Sequence, residues 1–449
     1  MPTVIYKSPP EPVAESFRQK VLRQIWAVAD QGLISASNFA TMIFVARGLG
    51  DPAPFGTFTL VYSAMLFANI FQMALITQPH NVLGAGREGV NYCRYTTSTL
   101  FTQLILAGAE SIIALAAAAA MASRGWHGTP LLVALAPAIF GWQVQEFFRR
   151  VLYTEGRYRG AFWNDMLSYG GQMLLIGLMW LHDLRSAGAH HWLTGATALY
   201  VLAATSLAGA LLGLVQIRSS LTTAEKPFWA LKPNWQYGKW LVGSEVLTWT
   251  SSIQMYLFLA ARVLGTIATA DLKSAQVLFG PTRVIAFYLD TVLPIRFART
   301  AATRGPAAIL PELRAVLARV ALPLCGFCFF VAVFSGPLLR LTFGPRYAAA
   351  KTSLMLYSAY ALVTYVQMII TAALRAQKNT HLIFFGSAAS VIVALPLSLL
   401  LIPRMRTAGI LVAMIAGALA AALLYMAAVI RSSTPAANVA VIEPALAED

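Results

Sequence analysis

The chain has 449 residues, of which 58% are hydrophobic and 11% charged, and its mean hydropathy is +0.65. A soluble domain carries charge on about a quarter of its residues, so this composition excludes an ordinary soluble fold. The net charge is +15 at neutral pH. Its basic residues fall between apolar stretches, which is typical of loops beside a membrane and not of a nucleic-acid-binding module.

Apolar stretches long enough to cross a bilayer recur along the chain. A spanning helix needs about 20 mainly apolar residues, and this predicts an all-α membrane protein with about twelve spans in two pseudo-symmetric six-helix lobes around a central cavity. The predicted spans are 24–46, 55–77, 97–121, 130–148, 160–181, 194–216, 239–261, 274–295, 315–335, 352–374, 380–402 and 408–430. The expected organisation is a cytoplasmic N-terminal segment (1–22), an N-lobe (23–216), a cytoplasmic linker (217–238), a C-lobe (239–431) and a disordered cytoplasmic tail (432–449).

Two segments half a chain apart have similar sequences, residues 26–50 and residues 240–265. Trp26, Ser37 and Phe44 of the first correspond in order to Trp240, Ser251 and Phe258 of the second. Each segment opens one predicted lobe. Two related membrane halves are the architecture of an alternating-access transporter, so the sequence favours that class.

The basic residues also predict the orientation in the membrane. With the N-terminus inside, the cytoplasmic segments hold about 22 of the Lys and Arg residues and the opposite side about 10. An even number of spans then returns the C-terminus to the cytoplasm.

Polar residues follow one face of the helix that opens each lobe. In the first span, Asp30, Gln31 and Asn38 lie within one arc of about 120°. In the seventh, Glu245 begins a stripe with an i, i+3, i+7, i+11 spacing. Ionisable groups within a span are costly and face a cavity or one another, so both stripes are candidate cavity walls.

The eighth span carries the most informative stripe. Lys273, Gln276, Arg283 and Asp290 follow one helical face. Arg283 lies near the middle of the span, and two interpretations stay open. It pairs with a neighbouring carboxylate, Asp30 or Glu245, or it lines a water-filled cavity that receives an anion such as a phosphate.

No catalytic motif accompanies these stripes. The sequence contains no G-x-S-x-G, Walker loop, H-E-x-x-H or zinc-ligand spacing. We therefore expect a protein that is not an enzyme and that needs no cofactor or metal.

Several segments resemble the polysaccharide flippases of the multidrug/oligosaccharidyl-lipid/polysaccharide exporter superfamily. They lie at 29–60, 145–165, 272–299 and 341–360. The resemblance implies a carrier of undecaprenyl-pyrophosphate-linked oligosaccharides across the bacterial inner membrane, for exopolysaccharide, capsule or lipopolysaccharide synthesis, with a polysaccharide polymerase as a partner protein.

The resemblance also suggests roles for the residues of the stripes. Arg283 and Lys273 would hold the pyrophosphate, and Asp30, Gln31, Asn38 and Glu245 would bind sugar hydroxyls or a coupling cation. Two alternatives remain, a cation-coupled multidrug antiporter of the same superfamily and a membrane-embedded polysaccharide polymerase or transferase.

Overall fold

The computed structural model describes residues 17–186, 191–222, 227–377 and 379–433, apart from the side chains of residues 17–24, 283, 284, 287, 291, 306 and 380. The described chain is helical throughout, so the predicted all-α membrane fold is confirmed. Residues 1–16 of the predicted N-terminal segment and 434–449 of the predicted tail lie outside the described residues, whereas residues 17–22 belong to the first helix. The α-helices are α1 (Phe17–Leu49), α2 (Pro52–Gln72), α3 (Gly89–Ala122), α4 (Thr129–Thr154), α5 (Tyr158–Asp165), α6 (Gly171–Arg185), α7 (Gly195–Gln216), α8 (Leu231–Ser251), α9 (Ile253–Leu264), α10 (Thr266–Leu278), α11 (Arg283–Arg304), α12 (Ile309–Val333), α13 (Ser335–Thr342), α14 (Lys351–Ala376), α15 (Thr380–Met405) and α16 (Thr407–Ser433).

Nine helices of the described chain are long and apolar enough to cross a membrane. The other three predicted spans, 160–181, 239–261 and 274–295, coincide with interrupted helices. A π-helical turn at Met166–Gly170 separates α5 from α6. The seventh predicted span breaks between α8 and α9 at Ser252, which caps α9 by accepting a hydrogen bond from the Gln254 amide.

The eighth predicted span breaks at a 3₁₀ turn, Gly280–Thr282. Pro281 within this turn has no amide hydrogen to donate, which weakens the helical hydrogen bonding at this point. Helix breaks of this kind are tolerated at membrane depth where the backbone is buried in protein or lines a cavity. Here the break lies beside a cavity, described below.

The two halves repeat the same packing scheme. In the first half α4 packs on α7 and on α3, and in the second half α14 packs on α16 and on α12 in the same relation. Likewise α1 packs on α5 and α6, as α8 packs on α15. The sequence repeat therefore corresponds to two halves with equivalent helix contacts.

The halves meet along α2, which packs against α10, and along the π-helical turn after it (Met73–Thr77), which packs against α8. Two glycines allow this close approach. A Cβ on Gly56 of α2 would lie 1.9 Å from the Thr266 carbonyl oxygen, and a Cβ on Gly238 of α8 would lie 2.3 Å from that of Ala74. Any larger residue at either position would push the halves apart.

Candidate transport cavity

A cavity of about 410 Å³ lies between the two halves. The first half contributes α1 and α2, and the second contributes α9, α10, the 3₁₀ turn, α11 and α14. The cavity lies where two predicted spans are interrupted, because Gln254 follows the α8–α9 break and Gly280 belongs to the α10–α11 break. Its walls are therefore drawn from both members of the repeat.

One cationic side chain and several amides and hydroxyls give the cavity its polarity. Lys273 is 5% exposed, donates to the Gln276 Oε1 atom at 2.9 Å and lies 5.7 Å from the centre of the Tyr62 ring. Ser35 donates to the Gly280 carbonyl oxygen at 2.9 Å and so joins α1 to the break after α10. Within the described side chains, the lining contains this one cation and no carboxylate.

Aromatic rings form much of the remaining wall. Tyr357, Tyr360 and Tyr365 of α14 face the cavity together with Tyr62 and Phe279. The Phe279 and Tyr357 ring centres are 5.3 Å apart, and those of Tyr357 and Tyr360 are 5.6 Å apart. The sequence analysis missed this wall. The i, i+3, i+8 spacing of the three tyrosines in the tenth predicted span is the signal that could have identified it.

Three of the predicted site residues line the cavity, namely Lys273, Gln276 and Asn38. Arg283 is the first residue of α11, directly after the cavity-lining Thr282, and its side chain lies outside the described residues. Gln31 of α1 and Glu245 of α8 are partly buried and do not line the cavity. Asp290 is exposed and forms an ion pair with Arg375 of α14.

Asp30 belongs to a different site, inside the first half. Its Oδ2 atom lies 2.9 Å from the Arg149 guanidinium and also accepts from the Tyr153 hydroxyl. Arg149 further lies 3.1 Å from Glu146 and 2.6 Å from Asp165. All four charged side chains are buried, so this Arg149 cluster joins α1, α4 and α5. Asp30, one of the two carboxylates considered as a partner for Arg283, is thus paired with Arg149.

The predicted polar stripe of α1 is therefore divided between two environments. Ser35, Asn38 and Met42 face the cavity, with a helical spacing of three and four. Ser37 and Thr41 are buried with Asp30, and Gln172 of α6 donates to Thr41. A polar arc of about 120° on one helix is wide enough to contact two different neighbouring environments, here the cavity and the interior of the first half.

Hydrogen bonds join the two halves near the turn between α1 and α2. Arg47 donates to the Thr342 carbonyl oxygen at 2.5 Å and to that of Leu341, both at the C-terminal end of α13. In return, Arg346 donates to the Gly50 carbonyl oxygen at 2.7 Å. Carbonyls at a helix C-terminus lack intrahelical donors, and a guanidinium supplies several. We name these two reciprocal contacts the arginine clasp.

An aromatic plug lies beside the clasp. The Phe55 ring of α2 packs edge-on against Tyr347, with centres 6.0 Å apart, and both side chains are buried. Together the clasp and the plug hold the two halves in contact near the α1–α2 turn.

Solved transporter structures share this architecture. The chain superimposes on the lipid II flippase MurJ in an inward closed conformation with a TM-score of 0.66 at 13% identity, covering 92% of this chain and 89% of that one. It also superimposes on an inward-facing multidrug resistance MATE family transporter of the MOP superfamily, with a TM-score of 0.65 at 14% identity. That match covers 91% of this chain and 96% of the other. The chain has the fold of these transporters.

A eukaryotic MATE transporter, AtDTX14, matches equally well, with a TM-score of 0.64 at 13% identity over 93% of this chain and 98% of that one. No protein-family model and no curated protein sequence matches the chain. At these identities the likeness establishes the fold, a multi-pass membrane protein built of two related halves.

Proposed function

We propose that this protein is an alternating-access transporter that carries a lipid-linked oligosaccharide, on undecaprenyl pyrophosphate, across the bacterial inner membrane. The observation that carries the proposal is the cavity between the halves, which combines one buried lysine with tyrosines, amides and hydroxyls and has no carboxylate among its described lining residues. This supports an anionic, sugar-bearing substrate.

Phosphate and sugar need different partners, and the cavity offers both. A lysine ammonium binds phosphate as a point charge. Asn38, Gln254 and Gln276 can each donate to and accept from sugar hydroxyls, while tyrosine rings give the apolar faces of sugars a surface to pack on. Arg283, directly after the lining turn, would add a second cation for a pyrophosphate. A bare polar head group costs several kcal/mol per group in hydrocarbon, so such a cavity provides a path through the bilayer.

The arginine clasp supports alternating access. It joins the two halves near the α1–α2 turn, which the basic-residue distribution predicts to lie on the side opposite the cytoplasm. In that orientation the cavity would receive its substrate from the cytoplasmic side, with both termini there. Separation of the clasp would then open the other end, and rocking of the two halves moves the opening across the membrane.

A cation-coupled multidrug antiporter is the second candidate. Its specific support is the cavity size, because about 410 Å³ falls in the range of drug-sized sites, about 300–1,000 Å³. In addition, at least seven of the structural neighbours are MATE transporters. Against it, the described lining offers a cationic drug no carboxylate. An enzyme, such as a polysaccharide polymerase, is the third candidate and would extend a lipid-linked glycan in detergent, where no compartments exist.

The decisive experiment compares surface polysaccharide and drug sensitivity in a strain that lacks the gene. We expect surface polysaccharide to be lost, lipid-linked repeat units to accumulate, and drug sensitivity to stay unchanged. The wild-type gene should restore export and a Lys273→Met variant should not. Lys239→Met is the matched control, because Lys239 is exposed on α8. Normal polysaccharide with altered drug resistance would contradict the flippase proposal and support the antiporter.

A further inference from the structure

A carboxyl group of α3, Glu110, lies deep in the first half and away from both the cavity and the Arg149 cluster. It lies thirteen residues after the start and eleven before the end of the predicted span 97–121. At 1.5 Å per residue, this places it about 16–20 Å from either end of the span. It is partly buried and faces α4, to which the neighbouring Ser111 is joined by a hydrogen bond to the Ala136 carbonyl oxygen.

Among the described residues, the carboxyl group of Glu110 accepts a hydrogen bond from one neutral side chain. Gln143 of α4 donates to its Oε2 atom, whereas its Oε1 atom is shielded from the surface and has no hydrogen-bond partner among the described residues. Gln143 is in turn fixed by two further amides. Gln103 donates to its side-chain oxygen at 3.3 Å, and Gln72 donates to its backbone oxygen at 2.6 Å.

These two glutamines add a second observation. Gln72 and Gln103 are fully buried, with 0% exposure, and the side-chain oxygen of each has no hydrogen-bond partner in the described part of the chain. Three shielded oxygen acceptors without donors therefore belong to side chains that meet at Gln143. Buried polar atoms without partners are rare and require an explanation.

No basic side chain compensates Glu110 among the described ion pairs. On α4 the nearest charges are Glu146, one turn past Gln143, which is bound by Arg149 and Arg150, and those two arginines themselves. α2 and the π-helical turn after it pack on α3 closer to Glu110, but residues 52–77 carry no charge. The other elements packed on α3 bond to it near its start, about 18 Å or more along the helix from Glu110. Their charged or titratable groups are His80, Arg218, Lys232, Lys239 and Glu245, and Arg94 lies at the start of α3 itself.

An uncompensated carboxylate at this depth would cost several kcal/mol. A small monovalent cation removes that cost. The shielded oxygens are hard ligands, which suit such a cation. We propose that Glu110, together with Gln103 and Gln72, which bond to the same Gln143, is a binding site for a small monovalent cation, a proton or a sodium ion. The site goes beyond the transport cavity. A role for it in driving transport rests on the proposed function, but the binding itself does not.

The test is labelling with dicyclohexylcarbodiimide, an apolar reagent that attacks protonated carboxyls. The carboxyl oxygen bonds to the carbodiimide carbon, the acid proton passes to a nitrogen, and rearrangement leaves a stable N-acylurea that peptide mass spectrometry locates. The full-length wild-type protein is labelled in detergent without any transport substrate. A negative result therefore contradicts the cation site and leaves the function of the cavity untouched.

We expect an adduct at Glu110 and none in a Glu110→Gln variant, which keeps an acceptor for Gln143. If the cation is a proton, labelling falls about tenfold for each pH unit above its midpoint and is unaffected by sodium. If it is sodium, added sodium at fixed pH suppresses labelling and potassium does not. Absence of an adduct at Glu110, or an adduct insensitive to both pH and sodium, would overturn the proposal.

Discussion

Removing the Arg149 side chain should destabilise the first half severely. Arg149 is 3% exposed, and its nitrogens lie 2.9 Å from Asp30, 3.1 Å from Glu146 and 2.6 Å from Asp165. In Arg149→Met, Glu146 keeps Arg150 at 2.7 Å. Asp30 is left with the Tyr153 hydroxyl and Asp165 with the Gln145 amide, so two buried carboxylates lose their counter-charge.

The expected cost follows from these contacts. Breaking one buried ion pair by removing a partner costs about 3–5 kcal/mol, and here the remaining partners are neutral. We therefore expect Arg149→Met to lower the free energy of unfolding by at least about 3 kcal/mol. The measurement is an unfolding titration with a denaturing detergent in mixed micelles, followed by tryptophan fluorescence.

Two further variants make this reasoning refutable. Adding Asp30→Asn and Asp165→Asn to Arg149→Met should recover much of the loss, because a neutral replacement of a whole buried cluster is far less costly than a broken one. Arg157→Met is the control, since Arg157 pairs with Glu155 while 42% exposed and should cost less than about 1 kcal/mol. A loss for Arg149→Met no larger than that of the control, or no recovery in the triple variant, would refute the assigned role.

Three other predictions follow from the cavity and the contacts between the halves. Arg47→Ala with Arg346→Ala should increase labelling of a cysteine at Phe55 by a membrane-impermeant maleimide, and unchanged labelling would contradict the clasp as a gate. Gly56→Ala should cost about 1–3 kcal/mol in the same unfolding titration because its Cβ would meet the Thr266 carbonyl. Gly32→Ala, with open space around it in the interior of α1, should instead stabilise by up to about 1 kcal/mol. Tyr360→Leu should reduce export at normal protein level and Tyr360→Phe should preserve it; equal export by both variants would exclude an aromatic contact with the substrate.

The residues of α10 show what a single sequence can reveal about a site. Lys273, Gln276 and Gly280 share a face because helical periodicity fixes their relative directions, and all three line the cavity. That inference needs no knowledge of a neighbouring helix. The break that follows them is less local, because Pro281 lacks an amide hydrogen but so does Pro323, which lies inside the continuous helix α12.

The tyrosines of α14 and the polar stripe of α1 show what a single sequence cannot reveal about a site. Periodicity predicts that Tyr357 and Tyr360 share a face, but an aromatic face fits a packed core as well as a cavity wall. Similarly, Asp30 and Asn38 fall in one polar arc of α1. Asp30 nevertheless pairs with Arg149, 119 residues away, while Asn38 lines the cavity between the halves. Helical spacing fixes which residues point together and leaves open what they point at.

The sequence alone determined that the chain is an all-α membrane protein of two related halves, because bilayer thickness fixes the length of an apolar span and the repeat is visible in the residues. Only the tertiary structure decided which charges are paired, which polar face meets a cavity and where the two halves bond to each other. Those outcomes depend on contacts between helices far apart in the chain, such as Arg47 with Thr342 and Asp30 with Arg149, and no local spacing encodes them.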